Sequence, residues 1–95
     1  MTLTFGVIGA GRIGQLHISY LQTHKDVKIK WISDLNCDKM EEWIAQAGIE
    51  NKTKDHRDII NDPEVDAIII CSPTDTHVDI IKEASAQGKH IFCEK

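Results

Sequence analysis

The chain has 95 residues, of which 41% are hydrophobic and 27% charged, the proportions of a single ordinary globular domain. Its formal net charge of -4 is opposite to the cationic surplus that nucleic-acid binding usually requires. The longest aliphatic run, Ala67 to Cys71, is far too short to cross a membrane, and no leader pattern opens the chain; the scattered cysteines make a reducing cytoplasm the simplest compartment.

Taken in order, short β-branched runs alternate with helical stretches. Leu3 to Ile8 predicts a first strand and Arg12 to about His24 a helix, with Ile13, Leu16, Tyr20 and Leu21 spaced to form one buried stripe. Val27 to Ser33 predicts a second strand. Met40, Trp43, Ile44 and Ala47 mark a second helix, stopped by Gly48 in a left-handed conformation. Ile49 to Thr53 is a weak third strand, and Asp55-His56-Arg57-Asp58 opens a short helix closed off by Asn61-Asp62-Pro63. Ala67 to Cys71 is apolar throughout, which suits a strand covered on both faces. Thr76 and Asp79 have the spacing of a capping box for a helix that ends at Gly88, and His90 to Cys93 supplies a fifth strand.

Strand–helix alternation with right-handed crossovers yields an α/β, Rossmann-type doubly wound parallel sheet, here of expected order 3-2-1-4-5. The fifth strand would lie at an open apolar edge, which is a pairing hazard. Residues 1–95 are therefore expected to be a fragment of a longer protein. The three cysteines (Cys37, Cys71, Cys93) are odd in number and form no CxxC pair, so neither a zinc site nor a disulfide framework is expected.

Gly9-Ala10-Gly11-Arg12-Ile13-Gly14 is a GxGxxG turn between predicted strand and predicted helix. Gly9 permits the tight turn, Gly11 leaves room for a pyrophosphate, and Gly14 lets the helix pack closely on the strand while free helical N–H groups face the anion. Glycine turns also serve purely structural ends, so the acid that follows carries weight. Asp34 ends the second strand twenty residues after Gly14, where a carboxylate can accept from ribose hydroxyls and would repel a 2′-phosphate, favouring NAD over NADP. The alternative is that it merely caps the next helix or starts a turn in Ser33-Asp34-Leu35-Asn36. Arg12 either touches the pyrophosphate or stays solvated.

Cys71-Ser72-Pro73-Thr74-Asp75-Thr76-His77 follows the fourth strand, at the point where strand order reverses and ligands bind in open α/β sheets. Ser72, Pro73 and Thr74 are thus candidates to flank the cofactor, an ordinary turn being the alternative. His77 is a candidate beside them or a structural residue of the first helical turn.

The ordered set Gly9 to Gly14, His17, Ser33-Asp34, Ser72-Pro73-Thr74-x-x-His77 and Gly88-Lys89-His90-Ile91-Phe92-Cys93-Glu94-Lys95 resembles the Gfo/Idh/MocA oxidoreductase family over essentially the whole chain. Glu94-Lys95 matches the first two residues of that family's Glu-Lys-Pro motif. The resemblance implies a two-domain enzyme whose nicotinamide cofactor takes hydride from a hydroxyl-bearing carbon of a sugar or cyclitol. It implies that Glu94 belongs to the cofactor site and that Lys95 is catalytic, contacting cofactor and substrate hydroxyl, where a cation would favour alkoxide character. It places the acid/base residue, the substrate pocket and the homo-oligomer surface in the absent domain. The Arg12-Ile13-Gly14 turn, Asp34 and the Phe92-to-Lys95 ending look most similar to bacterial inositol 2-dehydrogenases, implying oxidation of myo-inositol with NAD.

Two other functions fit the fold. A non-catalytic NAD(P)-sensing regulatory module needs the glycine turn and the acid but no substrate-side lysine, so Glu94-Lys95 weighs for the enzyme. An adenosine ligand such as S-adenosylmethionine fits a pyrophosphate-sized turn poorly. A different sugar or polyol dehydrogenase of the same family shares all these motifs.

Overall fold

The computed structural model describes residues 2–72 and 74–93, with the backbone alone at Thr74. Pro73, Glu94 and Lys95 lie outside the described residues.

Five strands form one parallel sheet: β1 (Leu3–Ile8), β2 (Val27–Ser33), β3 (Asn51–Thr53), β4 (Ala67–Ile70) and β5 (His90–Cys93), in the order β3-β2-β1-β4-β5. Register aligns Ile8 with both Ser33 and Ile70, Ser33 with Thr53, and Ile70 with Cys93. All five strands therefore finish on one row. Gly9, Asp34 and Lys54 each follow directly from that row, as does the Cys71-Ser72 start of the next loop. The residue types that looked chemical in the sequence are thus gathered at the carboxyl edge of the sheet.

Two apolar layers hold the sheet. On one face Phe5, Val7, Ile29, Ile32, Ala67 and Ile69 pack with Ile18 of α1 (Arg12–Leu21) and Ile44 of α2 (Glu41–Ala47). On the other, Ile8, Ile68 and Ile70 meet Ile59 and Ile60 of α3 (Arg57–Ile60) and Ile80 and Ala84 of α4 (His77–Ala86). Every residue of β4 is buried, as its unbroken apolar run requires. Gly6 has a role that the pattern did not reveal: a Cβ there would sit 2.3 Å from Ile59 Cγ2, so the strand admits α3 only because the side chain is missing.

Helix α1 corrects one expectation. Ile13, Leu16 and Tyr20 are 47%, 67% and 67% exposed, whereas Gly14 and Ile18 are buried and Leu21 is half-buried. The glycine turn sets the rotation of the helix. A Cβ on Gly14 would lie 2.2 Å from the Gly9 carbonyl oxygen, so the Gly14 face is pressed against the turn. Ile18 and Leu21, in phase with Gly14, enter the core, and the more conspicuous stripe is turned away. Gln22 donates to the Ala47 carbonyl, which puts α2 on the opposite flank from Ile13 and Tyr20.

A second correction concerns α4. Thr76 makes no side-chain cap at its start; its hydroxyl lies 2.8 Å from the Ser72 hydroxyl instead. The turn before α4 is a 3-10 segment, Thr74–Thr76, which draws Thr76 back toward the preceding loop. Gly48 and Gly88 stop α2 and α4 with φ of 73° at each, as their positions predicted.

The segment between α3 and β4 is anchored under β2. The Asp62 carboxylate accepts from the Trp31 indole N–H (2.7 Å) and pairs with Lys30 (2.7 Å), while Lys30 also pairs with Glu64 (2.5 Å). Lys89 donates to the Asp62 and Val65 carbonyls, both at 2.6 Å. Burial disfavours the charged Asp62 carboxylate, but the Lys30, Trp31 and Glu64 backbone donors outweigh it and hold the group at about 2. Hydrogen bonds to Asp62 and Glu64 push Lys30 up to about 12.

Candidate functional site

The β1–α1 turn is built for close approach. Gly9 has φ of 93°, and a Cβ on it would lie 2.5 Å from the Ser72 backbone nitrogen, so the turn abuts the loop that follows β4. Gly9 N–H donates to the Ser33 carbonyl (2.7 Å), and Ala10 N–H donates to Asp34 Oδ2 (2.8 Å). The turn is therefore tied to the end of β2 by two bonds. Gly11 differs from its neighbours: it precedes α1 with no side-chain cap, and a Cβ on it would meet nothing within 4 Å. Neither packing nor backbone conformation requires glycine there. The space that a side chain would fill lies at the positive end of a ten-residue helix, which suits an anion. Arg12 and Ile13 are exposed at the same helix start.

Asp34 makes the local turn that one reading of its position expected and is tied to the glycine turn as well. Its Oδ1 accepts from the Asn36 backbone N–H at 2.8 Å, a local turn, while Oδ2 accepts from Ala10. A carboxylate offers about four acceptor directions, so two backbone bonds orient it and leave capacity for hydroxyl donors. The carboxylate is thereby fixed before any ligand arrives.

Gly9, Asp34, Leu35 and Ser72 line, with parts of α3 and α4, a cleft of about 780 Å³, whereas Gly11, Arg12, Ile13 and Gly14 are not among its lining residues. Gly9, Asp34 and Ser72 thus meet in one concavity, across the crossing point between β1 and β4. His77 is placed differently from the rest. It is 8% exposed, with Nε2 2.7 Å from the Ser72 carbonyl and Nδ1 3.0 Å from Cys93 Sγ, so both ring nitrogens are engaged by the protein.

Several cleft residues went unmarked in the sequence. Leu35, 79% exposed, presents an apolar surface beside Asp34, and its position directly after the acid was the available signal. His56 and Arg57 of the α3 start reach Glu83 of α4, with His56 Nε2 3.2 Å and Arg57 Nε 3.7 Å from its carboxylate oxygens. This trio braces the cleft wall and depends on a 27-residue separation that no local pattern reveals. Lys54 lines the cleft and pairs with Asp38 at 2.8 Å, and that pairing raises the lysine pKa while lowering that of Asp38. Among the described residues no group of three or more His, Cys, Asp or Glu side chains converges as a metal site.

The site fits a dinucleotide: an open cradle at a helix N-terminus, and one strand away an oriented carboxylate that lines a cleft together with Gly9. The profile of the Gfo/Idh/MocA oxidoreductases, described as an NAD-binding Rossmann fold, matches residues 3–95. The chain belongs to that family. It is the family's NAD-binding domain, and its relatives agree. It is 40% identical to the myo-inositol 2-dehydrogenase of Thermotoga maritima over 98% of this chain and 28% of that protein. It is 50% identical to the uncharacterized oxidoreductase YrbE of Bacillus subtilis over 95% of this chain and 26% of that one. Among solved structures, scyllo-inositol dehydrogenase from Lactobacillus casei with bound NAD(H) and scyllo-inositol superposes with a TM-score of 0.90 at 28% identity, over all of this chain and 28% of that one. The chain thus spans little more than a quarter of the length of the relatives it matches.

Proposed function

We propose that these 95 residues are the cofactor half of an NAD-dependent dehydrogenase that oxidises a cyclitol or sugar hydroxyl, with myo-inositol the substrate. The observation that carries this reading is the Gly11 cradle beside the fixed Asp34 carboxylate, in a domain whose named relatives are predominantly inositol dehydrogenases. A substrate domain follows Lys95 in this reading, and the protein is a cytoplasmic homo-oligomer assembled through that domain. The acidic balance supports the absence of nucleic-acid and membrane partners, and no described helix is long and apolar enough to span a bilayer.

In the bound state NAD supplies a hydride acceptor. The chain's own part is to hold and orient. Backbone N–H groups at the start of α1 take the pyrophosphate in the Gly9–Gly14 turn, with Arg12 and Ile13 at its rim. Asp34 accepts from ribose hydroxyls. Ser72 lines the opposite wall, Pro73 and Thr74 are proposed as further cofactor contacts, and His77 acts behind Ser72. Glu94 and Lys95 follow β5, whose last residue shares the row of strand ends; the Lys95 ammonium would polarise the substrate hydroxyl and stabilise its alkoxide character as the carbon loses hydride.

The test is an assay of the intact protein with NAD against a panel of cyclitols and sugars, followed by NADH absorbance. Turnover with myo-inositol well above the other substrates is expected. NAD binding without NADH formation on any member of the panel would replace this reading with a sensing module. Preference for a non-cyclitol sugar would keep the dehydrogenase and overturn the substrate.

A further inference from the structure

His77 stands at the first position of α4, yet its ring is folded back under the site, bridging two segments distant in the chain. Nε2 lies 2.7 Å from the Ser72 carbonyl in the loop after β4, and Nδ1 lies 3.0 Å from Cys93 Sγ at the end of β5. A carbonyl oxygen only accepts, so Nε2 must carry the hydrogen. In a neutral imidazole Nδ1 then bears the lone pair, and the Cys93 thiol must donate to it. The two contacts together select one tautomer. Burial of the ring, with both nitrogens occupied, leaves no side-chain atom of His77 to reach a ligand.

Both tethered segments bear on the cofactor. Ser72 lines the cleft, its backbone nitrogen lies where a Gly9 Cβ would collide, and its hydroxyl is held by Thr76. Cys93 is paired in register with Ile70 and precedes Lys95 by two residues. We propose that His77 is a positioning residue: as the neutral Nε2–H tautomer it clamps the Ser72 loop to the end of β5, setting the wall of the NAD cleft relative to the strand that leads to Lys95. The proposal rests on the NAD-binding reading for its effect on affinity, but the tautomer and the bridge do not depend on it.

The experiment has two arms, both on the intact protein. Long-range proton–nitrogen correlation of the His77 ring reads the tautomer directly. A protonated Nε2 with an unprotonated Nδ1 is expected at neutral pH, and the Nδ1–H tautomer or rapid exchange between the two would overturn the clamp. In the second arm NADH affinity is measured for wild type, His77→Leu and His77→Gln. Glutamine can donate to Ser72 and accept from Cys93, so it should stay within about twofold of wild type; leucine should weaken binding by roughly three- to tenfold, the worth of one hydrogen bond. Equal affinities for leucine and wild type, or no rescue by glutamine, would overturn the positioning role. A Cys93→Val variant guards against misfolding in His77→Leu, because it removes the thiol donor and keeps the histidine. It should keep the Nε2–H tautomer, which the Ser72 carbonyl fixes, while weakening NADH binding as His77→Leu does; NADH affinity equal to that of wild type would count against the bridge. If wild type binds no NADH while the tautomer is as expected, the clamp stands and the cofactor reading fails.

Discussion

Two glycines five and two residues after Gly9 separate folding from function. Gly14 is required by the protein itself, because a Cβ there would collide with the Gly9 carbonyl oxygen, backbone that cannot simply turn away. Gly11 meets no such constraint from the protein, and in the proposed reading its open space serves the pyrophosphate. Gly14→Ala should therefore destabilise the fold by about 1–3 kcal/mol, the range for forcing extra atoms into a packed contact, whereas Gly11→Ala should change stability by less than about 1 kcal/mol. Cofactor affinity should fall in Gly11→Ala although the fold is intact. Denaturant midpoints with NAD titrations on both variants check this. A Gly11→Ala variant that binds NAD as wild type does would mean that the open space is not the pyrophosphate site.

At the scale of elements, the lower tie between β2 and the loop before β4 is the clearest electrostatic feature. Asp62 is held at about 2 by Lys30, the Trp31 indole and a backbone donor, against the cost of burial. A carboxyl depressed in the folded state contributes stability that is fully present above the unfolded value near 3.8 and is lost as pH falls through about 2. Wild-type stability should thus decline between pH 4 and pH 2 more steeply than that of Asp62→Asn, which should already be less stable at pH 7. Thermal midpoints across that window read the difference, and parallel curves would show that the tie carries no acid-linked stability.

Elements were legible in the sequence where one local rule decided them. The bounds of β1, β2 and β5 follow from apolar runs, and the stops at Gly48 and Gly88 follow from their left-handed backbones. Where a remote contact decided, the pattern misled. Ile13, Leu16 and Tyr20 are the more hydrophobic stripe of α1, but Gly14 had to face Gly9, and a helix has one rotation. Thr76 and Asp79 have capping-box spacing, but Ser72 holds the threonine hydroxyl. Around the cleft, Gly9 and Asp34 directly follow strand ends and Ser72 comes two residues after one, so local rules could bring them together. The Glu83 brace on His56 and Arg57 joins elements far apart in sequence, and no spacing rule reaches that distance.

For the whole molecule, the parallel register brings five strand ends into one row, and reversal of strand order opens a cleft on that row. In the proposed reading the cofactor grip would be spread over three connections, each contributing part of the affinity, with Asp34 contributing the choice between cofactors. The central claim is that this cleft holds NAD through the cradle and the acid together. Calorimetric titration of wild type and Asp34→Ala with NAD and NADP tests it most directly. Wild type should bind NAD with one site and discriminate against NADP; Asp34→Ala should lose roughly ten- to a hundredfold in NAD affinity, as expected for hydrogen bonds to a charged acceptor, and lose most of the discrimination. An unchanged NAD-to-NADP ratio in the variant would contradict the account.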